Sequence, residues 1–349
     1  MYSCWRLAAL LFVTFGFLPV VANSDTLIVL NKGEASASLI DLTTNKVVAT
    51  VSTGPWPHEI AVSSDGKLGV VSNYGSSGAS GSSLTVIDIP EARVLKTIDL
   101  GIYRRPHGIQ WLQNERCVVT VEGNKAVIIV DIPEGQVKQE IVTNQEASHM
   151  VALGSSQKKA YVTNIGSGTV TVVDLEKGTA VENIPTGRGA EGIDVSPDGH
   201  EVWITNRAVD TVSILDTSTL KITHTLDSKS FPIRVKITPD GKFALVSNAG
   251  SGDITVFDRV AKKEVRRLTI PLESASSEGR LFGERFGKSS VPIGILIQPD
   301  GKRGFVASAN ADLISVLDLE QWQFTETLQA GKEPDGLGYS PQHVHQNSN

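Results

Sequence analysis

Cysteine is nearly absent from this sequence of 349 residues: there are two, and Cys4 lies in the apolar N-terminal stretch. If that stretch is removed, Cys117 has no partner and no internal disulfide can form, so stability must come from packing. No Cys-x-x-Cys-His motif is present, which excludes covalently attached c-type haem. Aromatic residues make up only 6% of the chain, and no run of lysines and arginines occurs. With a formal net charge of −6, non-specific nucleic-acid binding is disfavoured. Long apolar runs are also missing, except at the very start.

That start reads as a secretory signal. Arg6 precedes an apolar run from Leu7 to Val21, which ends in small residues before Asn23. Thr14, Gly16 and Pro19 break the run, so it falls short of the roughly 20 apolar residues a membrane span needs. The expectation is cleavage after Ala22, a periplasmic or secreted protein, and no transmembrane segment in the mature chain.

What the sequence has in quantity is repetition. A short apolar strand ending in aspartate recurs seven times: SLID at 38–41, TVID at 85–88, IIVD at 128–131, TVVD at 171–174, SILD at 213–216, TVFD at 255–258 and SVLD at 315–318. Upstream lies a second strand ending in asparagine: LIVLN at 27–31, VVSN at 70–73, YVTN at 161–164, WITN at 203–206 and LVSN at 245–248. In the other two copies this strand is expected to end in Glu122 and Ser308. Asp-Gly turns at 65–66, 198–199, 240–241 and 300–301 mark hairpins. Each unit of about 42 residues therefore reads as four antiparallel strands, A to D.

One such sheet cannot bury both faces, so seven must close into a ring. The chain enters at a strand B (26–31) and leaves with an orphan strand A (336–340); pairing the two closes the ring and removes exposed edges. The expected architecture is all-β, a seven-bladed β-propeller of four-stranded antiparallel blades. It would span residues 25–341, with 1–22 a signal peptide and 342–349 a disordered tail.

The YVTN at 161–164, with the Pro-Asp-Gly turns and Val-x-x-Asp strand ends, resembles the YVTN family of β-propeller repeats over about residues 25–341. Similar propellers include periplasmic and archaeal surface proteins, the copper-carrying propeller of nitrous oxide reductase, the haem d1 propellers and lactonases. The resemblance implies a fold and leaves the activity open.

Columns common to all copies serve the fold, and the aspartates and asparagines are read as turn-capping residues. Columns that differ are where a site is sought. Just before strand A, round the ring, stand Asp335, His58, His107, His149, Glu191, Ile233 and Ile293. Strand A is innermost, so this column should surround the channel mouth. Three imidazoles there suit a divalent transition metal such as zinc, copper or iron, with one coordination position open. Glu122, Glu191 and Asp335 are candidate bases or supports for that centre. The alternative is that the histidines merely bond loop carbonyls.

Further residues on that face are candidate ligand contacts: Trp56, Tyr103, Arg104, Arg105, Arg188 and Arg207, with Phe282, Arg285 and Phe286 from an insertion at about 272–291. Arginines beside aromatic rings suit a small anionic ligand. The insertion is long enough to be a lid. The Gly/Ser-rich stretch at 74–83 reads as a flexible loop. Three functions remain open at this level: a metal-dependent hydrolase, lyase or isomerase; a non-catalytic module binding an envelope protein or glycan; and a tetrapyrrole or electron-transfer propeller.

Overall fold

The computed structural model describes Met1 and residues 24–274, 278–280 and 282–345; residues 2–22 of the expected signal peptide and 346–349 of the expected tail lie outside them. Seven four-stranded antiparallel sheets form a ring, which makes the chain a seven-bladed β-propeller. Blade 1 takes its inner strand, Pro334–Ser340, from the C-terminus and its other strands, Thr26–Asn31, Ser36–Asp41 and Lys46–Ser52, from the N-terminus. Thr26 pairs with Ser340 and Asn31 with Pro334. Blades 2 to 7 have the inner strands Pro57–Val62, Pro106–Leu112, Ser148–Leu153, Ala190–Val195, Pro232–Ile237 and Pro292–Ile297.

Period-two strands rich in Val, Ile and Thr bury both faces between neighbouring sheets. The core is accordingly divided into seams rather than massed in one centre. Leu84, Val86 and Ile98 of blade 2 pack with Cys117, Val119 and Ile128 of blade 3, and Trp203 of blade 5 packs with Val246 and Phe257 of blade 6. Cys117 is buried and unpaired, and burial pushes its thiol pKa up. The outermost strands face solvent on most positions, as in Arg93–Asp99 and Thr179–Pro185.

The repeated aspartates accept backbone N–H bonds from the turn that follows; Asp174 takes those of Glu176 and Lys177, and Asp216 those of Ser218 and Thr219. The asparagines are fully buried and bond sideways as well. Asn73 Nδ2 donates to Ser83 and Thr85, while its Oδ1 accepts from Gly54 in the loop before its own blade.

Two sequence expectations change. Register places Val121, not Glu122, in the asparagine column, because Val121 pairs with Ala126 as Asn164 pairs with Thr169. Glu122 is one residue further on, the first of its loop. The stretch at 74–83 is no flexible loop: its strands, Leu68–Gly75 and Ser80–Asp88, run past their counterparts, pair Gly75 with Ser80 and close with a bond from Ser76 N to Ala79 O.

Candidate metal centre at the channel mouth

The same backbone device presents a side chain to the channel in every blade. Two residues before each column position the chain is left-handed: Trp56, Arg105, Ala147, Gly189, Phe231, Val291 and Glu333 have φ between 49° and 75°. Five of these seven precede proline, which fixes the entry angle of strand A. The column residue and the one after it then form a bulge against strand B; pairing jumps from Pro57 to Ile60 and from Pro106 to Ile109. A bulge re-aims its side chains, here into the channel. Strand-B hydroxyls fix the blades to one another at this level. Ser72, Thr120 and Thr163 donate to the backbone carbonyls of His107, His149 and Glu191, each on the next blade.

The residue after the asparagine column stands beside each column residue; it is the first loop residue in six blades and, in blade 2, Tyr74 inside the longer strand Leu68–Gly75. Around the ring this second column reads Lys32, Tyr74, Glu122, Ile165, Arg207, Ala249 and Ala309. Combined, the two columns split the mouth into a polar arc over blades 1 to 5 and an apolar arc over blades 6 and 7. Asp335 and Lys32 of blade 1 form a buried ion pair at 3.3 Å, and Glu191 and Arg207 of blade 5 pair at 2.6 Å. Over the apolar arc, Ile233, Ala249, Ile293 and Ala309 pack under Phe231, Phe282 and Phe286.

The arcs enclose a cavity of about 270 Å³, lined by Trp56, Tyr74, the three histidines and Glu122 on one side and by Ile233, Phe282 and Ile293 on the other. His58, His107 and His149 are all buried. Their rings run side by side, with centroids 4.7 Å apart from His58 to His107 and 3.7 Å from His107 to His149. Ligand atoms of His107, Glu122 and His149 lie within 4.8 Å of one another, so this set can hold a metal ion. His58 stands one ring further along, its Nδ1 bonded to the Trp56 carbonyl at 2.8 Å. A carbonyl only accepts, so Nδ1 carries the proton and Nε2 keeps its lone pair.

His149 is oriented in the same way by a carboxylate: its Nδ1 lies 2.5 Å from Glu122 Oε1, whose other oxygen accepts from Tyr74 Oη at 2.6 Å. Among the described residues, His107 Nδ1 and His149 Nε2 have no hydrogen-bond partner. In His149, as in His58, the ring nitrogen opposite the free one is backed by a carboxylate or carbonyl, which is what metal-binding histidines present. The donor set therefore fits a borderline divalent ion.

Electrostatics separates the histidines. Burial pushes His58 down to about 4, and burial with the neighbouring imidazoles holds His107 well below the usual range. Burial opposes charge on His149 too, but the bond to Glu122 and the Glu191 carboxylate 3.5 Å from Nε2 outweigh it and raise its pKa. Burial likewise works against the charges of Glu191 and Asp335. Arg207 holds Glu191 below the ordinary carboxylate value, and Lys32 does the same for Asp335. Tyr74 is pushed up to about 12 by burial and by Glu122.

Of the contacts expected from sequence, Trp56, Arg207 and Phe282 line the cavity. Arg105 reaches its wall through Tyr74 Oη at 3.0 Å. Arg285 stacks on Phe231 and Phe286, behind the apolar arc. Tyr103 packs on the seam of blades 2 and 3, while Arg104 and Arg188 are exposed and outside the cavity. The C-terminal segment as far as His345 lies on blades 1 and 2, with His345 N bonded to Pro90 O at 2.7 Å. Sequence reasoning missed Tyr74, Lys32, Glu59 and Arg234. The first two stand in the second column, one residue past Asn73 and Asn31. The last two stand one residue past the histidine column, so aligning the next position would have found them.

Comparison with known proteins gives a likeness in the same region. A family model described as "Lactonase, 7-bladed beta-propeller" matches residues 105–270, which include His107, Glu122, His149, Glu191, Arg207 and Arg234. No curated protein matches the chain. Among solved structures, a Kuenenia stuttgartiensis hydrazine synthase chain is similar with a TM-score of 0.68 and 19% identity, over 88% of this chain and 99% of that one. At that identity the likeness speaks for the propeller fold alone. The chain is thus a seven-bladed propeller whose middle blades are similar to the lactonase propellers.

Proposed function

We propose that the protein is an exported, metal-dependent propeller that binds a small anionic lactone or ester at the channel mouth and hydrolyses it. The observation that carries this reading is the group of buried His107 and His149 with half-buried Glu122, whose ligand atoms meet within 4.8 Å at a cavity half polar and half apolar. The match to the lactonase family model supports the substrate class, and the leader-like N-terminus supports export.

When bound, a divalent ion such as zinc, copper or iron supplies Lewis acidity toward a carbonyl. His107 and His149 hold it, Glu122 keeps the His149 ring in its tautomer, and His58 offers a further nitrogen. Arg207 uses one arm on Glu191 and has donors left for a substrate carboxylate. Ile233, Ile293 and Phe282 take the carbon skeleton and exclude water. Glu191, ionised and 3.5 Å from His149 Nε2, is the carboxylate placed to accept a proton from an attacking water.

One observation favours a second reading. The contact between Glu122 and His149 also suits a metal-free base, with Glu122 orienting His149 as the acid of a catalytic dyad does.

Elemental analysis of the protein as purified and after reconstitution is the test. The expected result is one ion per mature chain beginning at Asn23, none in His107→Ala, and lactone hydrolysis that a chelator abolishes. Hydrolysis untouched by the chelator but lost in His149→Ala supports the metal-free base. No metal in the wild type even after reconstitution removes the metal reading, and metal without turnover on any lactone removes the hydrolase.

A further inference from the structure

Beneath the histidine column lies a second ring with a rule of its own. The residue after each column position reads, from blade 1 to blade 7, Gly336, Glu59, Gly108, Met150, Gly192, Arg234 and Gly294. Glycine is required at four of them because the neighbouring inner strand passes too close. A Cβ on Gly336 would lie 2.2 Å from His58 O, one on Gly108 2.6 Å from His149 O, one on Gly192 2.6 Å from Ile233 O, and one on Gly294 2.1 Å from Asp335 O. The alternate blades carry the side chains that enter the channel: Glu59, Met150 and Arg234.

Arg234 crosses the channel. It is 7% exposed, and its guanidinium reaches carboxylates of three other blades: Glu59 at 2.8 Å, Glu191 at 3.4 Å and Asp335 at 4.0 Å. It lines the site cavity on one side and, with Glu59 and Met150, a separate channel cavity of about 200 Å³ on the other. A buried arginine is stable only when its charge and donors are matched, and here three acids match it.

We propose that Glu59, Met150 and Arg234 form a floor that makes the site a pocket open at one end. Arg234 is its positioning residue: its guanidinium lies 3.4 Å from the Glu191 oxygen that is also 3.5 Å from His149 Nε2, and 4.0 Å from Asp335, and so competes with an ion at the histidines for these oxygens. The second clause rests on the metal reading given above, whereas the floor does not.

Thermal melting of metal-free protein tests the floor through Arg234→Met, Glu59→Met and the double variant. Each single change strands buried charge and is expected to lower Tm. The double variant, with an all-methionine layer, should regain most of that loss. Additive losses with no recovery would overturn the floor. Zinc titration tests positioning. In the double variant, zinc affinity should rise on the order of tenfold as the competing guanidinium charge is removed, while Arg234→Lys keeps the wild-type affinity. Unchanged or weaker zinc binding in a folded double variant would overturn the positioning role. A wild-type protein that binds no zinc would overturn the metal reading and positioning with it, and leave the melting cycle as the test of the floor.

Discussion

Single side chains at the mouth differ in what acid does to them. His58 has a pKa of about 4 against an ordinary 6.5 because it is buried. The unfolded chain therefore takes up its proton first on acidification. The stability His58 contributes is complete above pH 6.5 and is lost as the pH falls from 6.5 to 4. Melts of metal-free protein at pH 7 and pH 5 should show a smaller fall in Tm for His58→Gln than for the wild type. An equal fall would show that the His58 ring is solvated. His149, raised by Glu122 and Glu191 in spite of burial, has the opposite sign, and its contribution is lost as the pH rises. The histidine column was legible because duplication keeps register, so three imidazoles at one repeat position stand out. Glu122 was legible as a departure from its neighbours, but its register was not, since only pairing across the sheet shows that Val121 fills the asparagine slot.

The informative element is the start of strand A. A left-handed residue, a small or imino residue and then a break in the pairing register recur in all blades, and this short unit decides what enters the channel. Such a bulge could not be read from alternation, because one extra residue shifts the pairing without altering the apolar pattern. Its second position is where glycine matters most. Gly294→Ala would place a methyl group 2.1 Å from the Asp335 carbonyl, and should destabilise the protein by roughly 1–3 kcal/mol in urea unfolding. Gly78→Ala, with nothing within 4 Å of its Cβ, is the control and should be neutral. If both were equally silent, the close approach of blades 7 and 1 would not hold. The insertion was readable as a departure in length, and its phenylalanines as residues that must pack. That they cover the apolar arc follows only once Ile233, Ile293, Ala249 and Ala309 are seen as one patch.

At the level of the molecule, the ring divides labour between what repeats and what does not. The seams, Asp turns and Ser/Thr links between blades are repeated, and they were legible as a propeller closed by its two termini. The site is the sum of departures: Asp, His, His, His and Glu on five consecutive blades, faced by Lys, Tyr, Glu, Ile and Arg, with isoleucine and alanine on the rest. No span of described helix is long and apolar enough to cross a membrane. The central claim, a metal ion at the mouth of this ring, is tested most directly by anomalous diffraction from crystals of zinc-loaded protein. The account predicts an anomalous peak in contact with His107 and His149 at the polar arc. A map with no peak there, or zinc only at surface histidines such as His200 or His224, would contradict it.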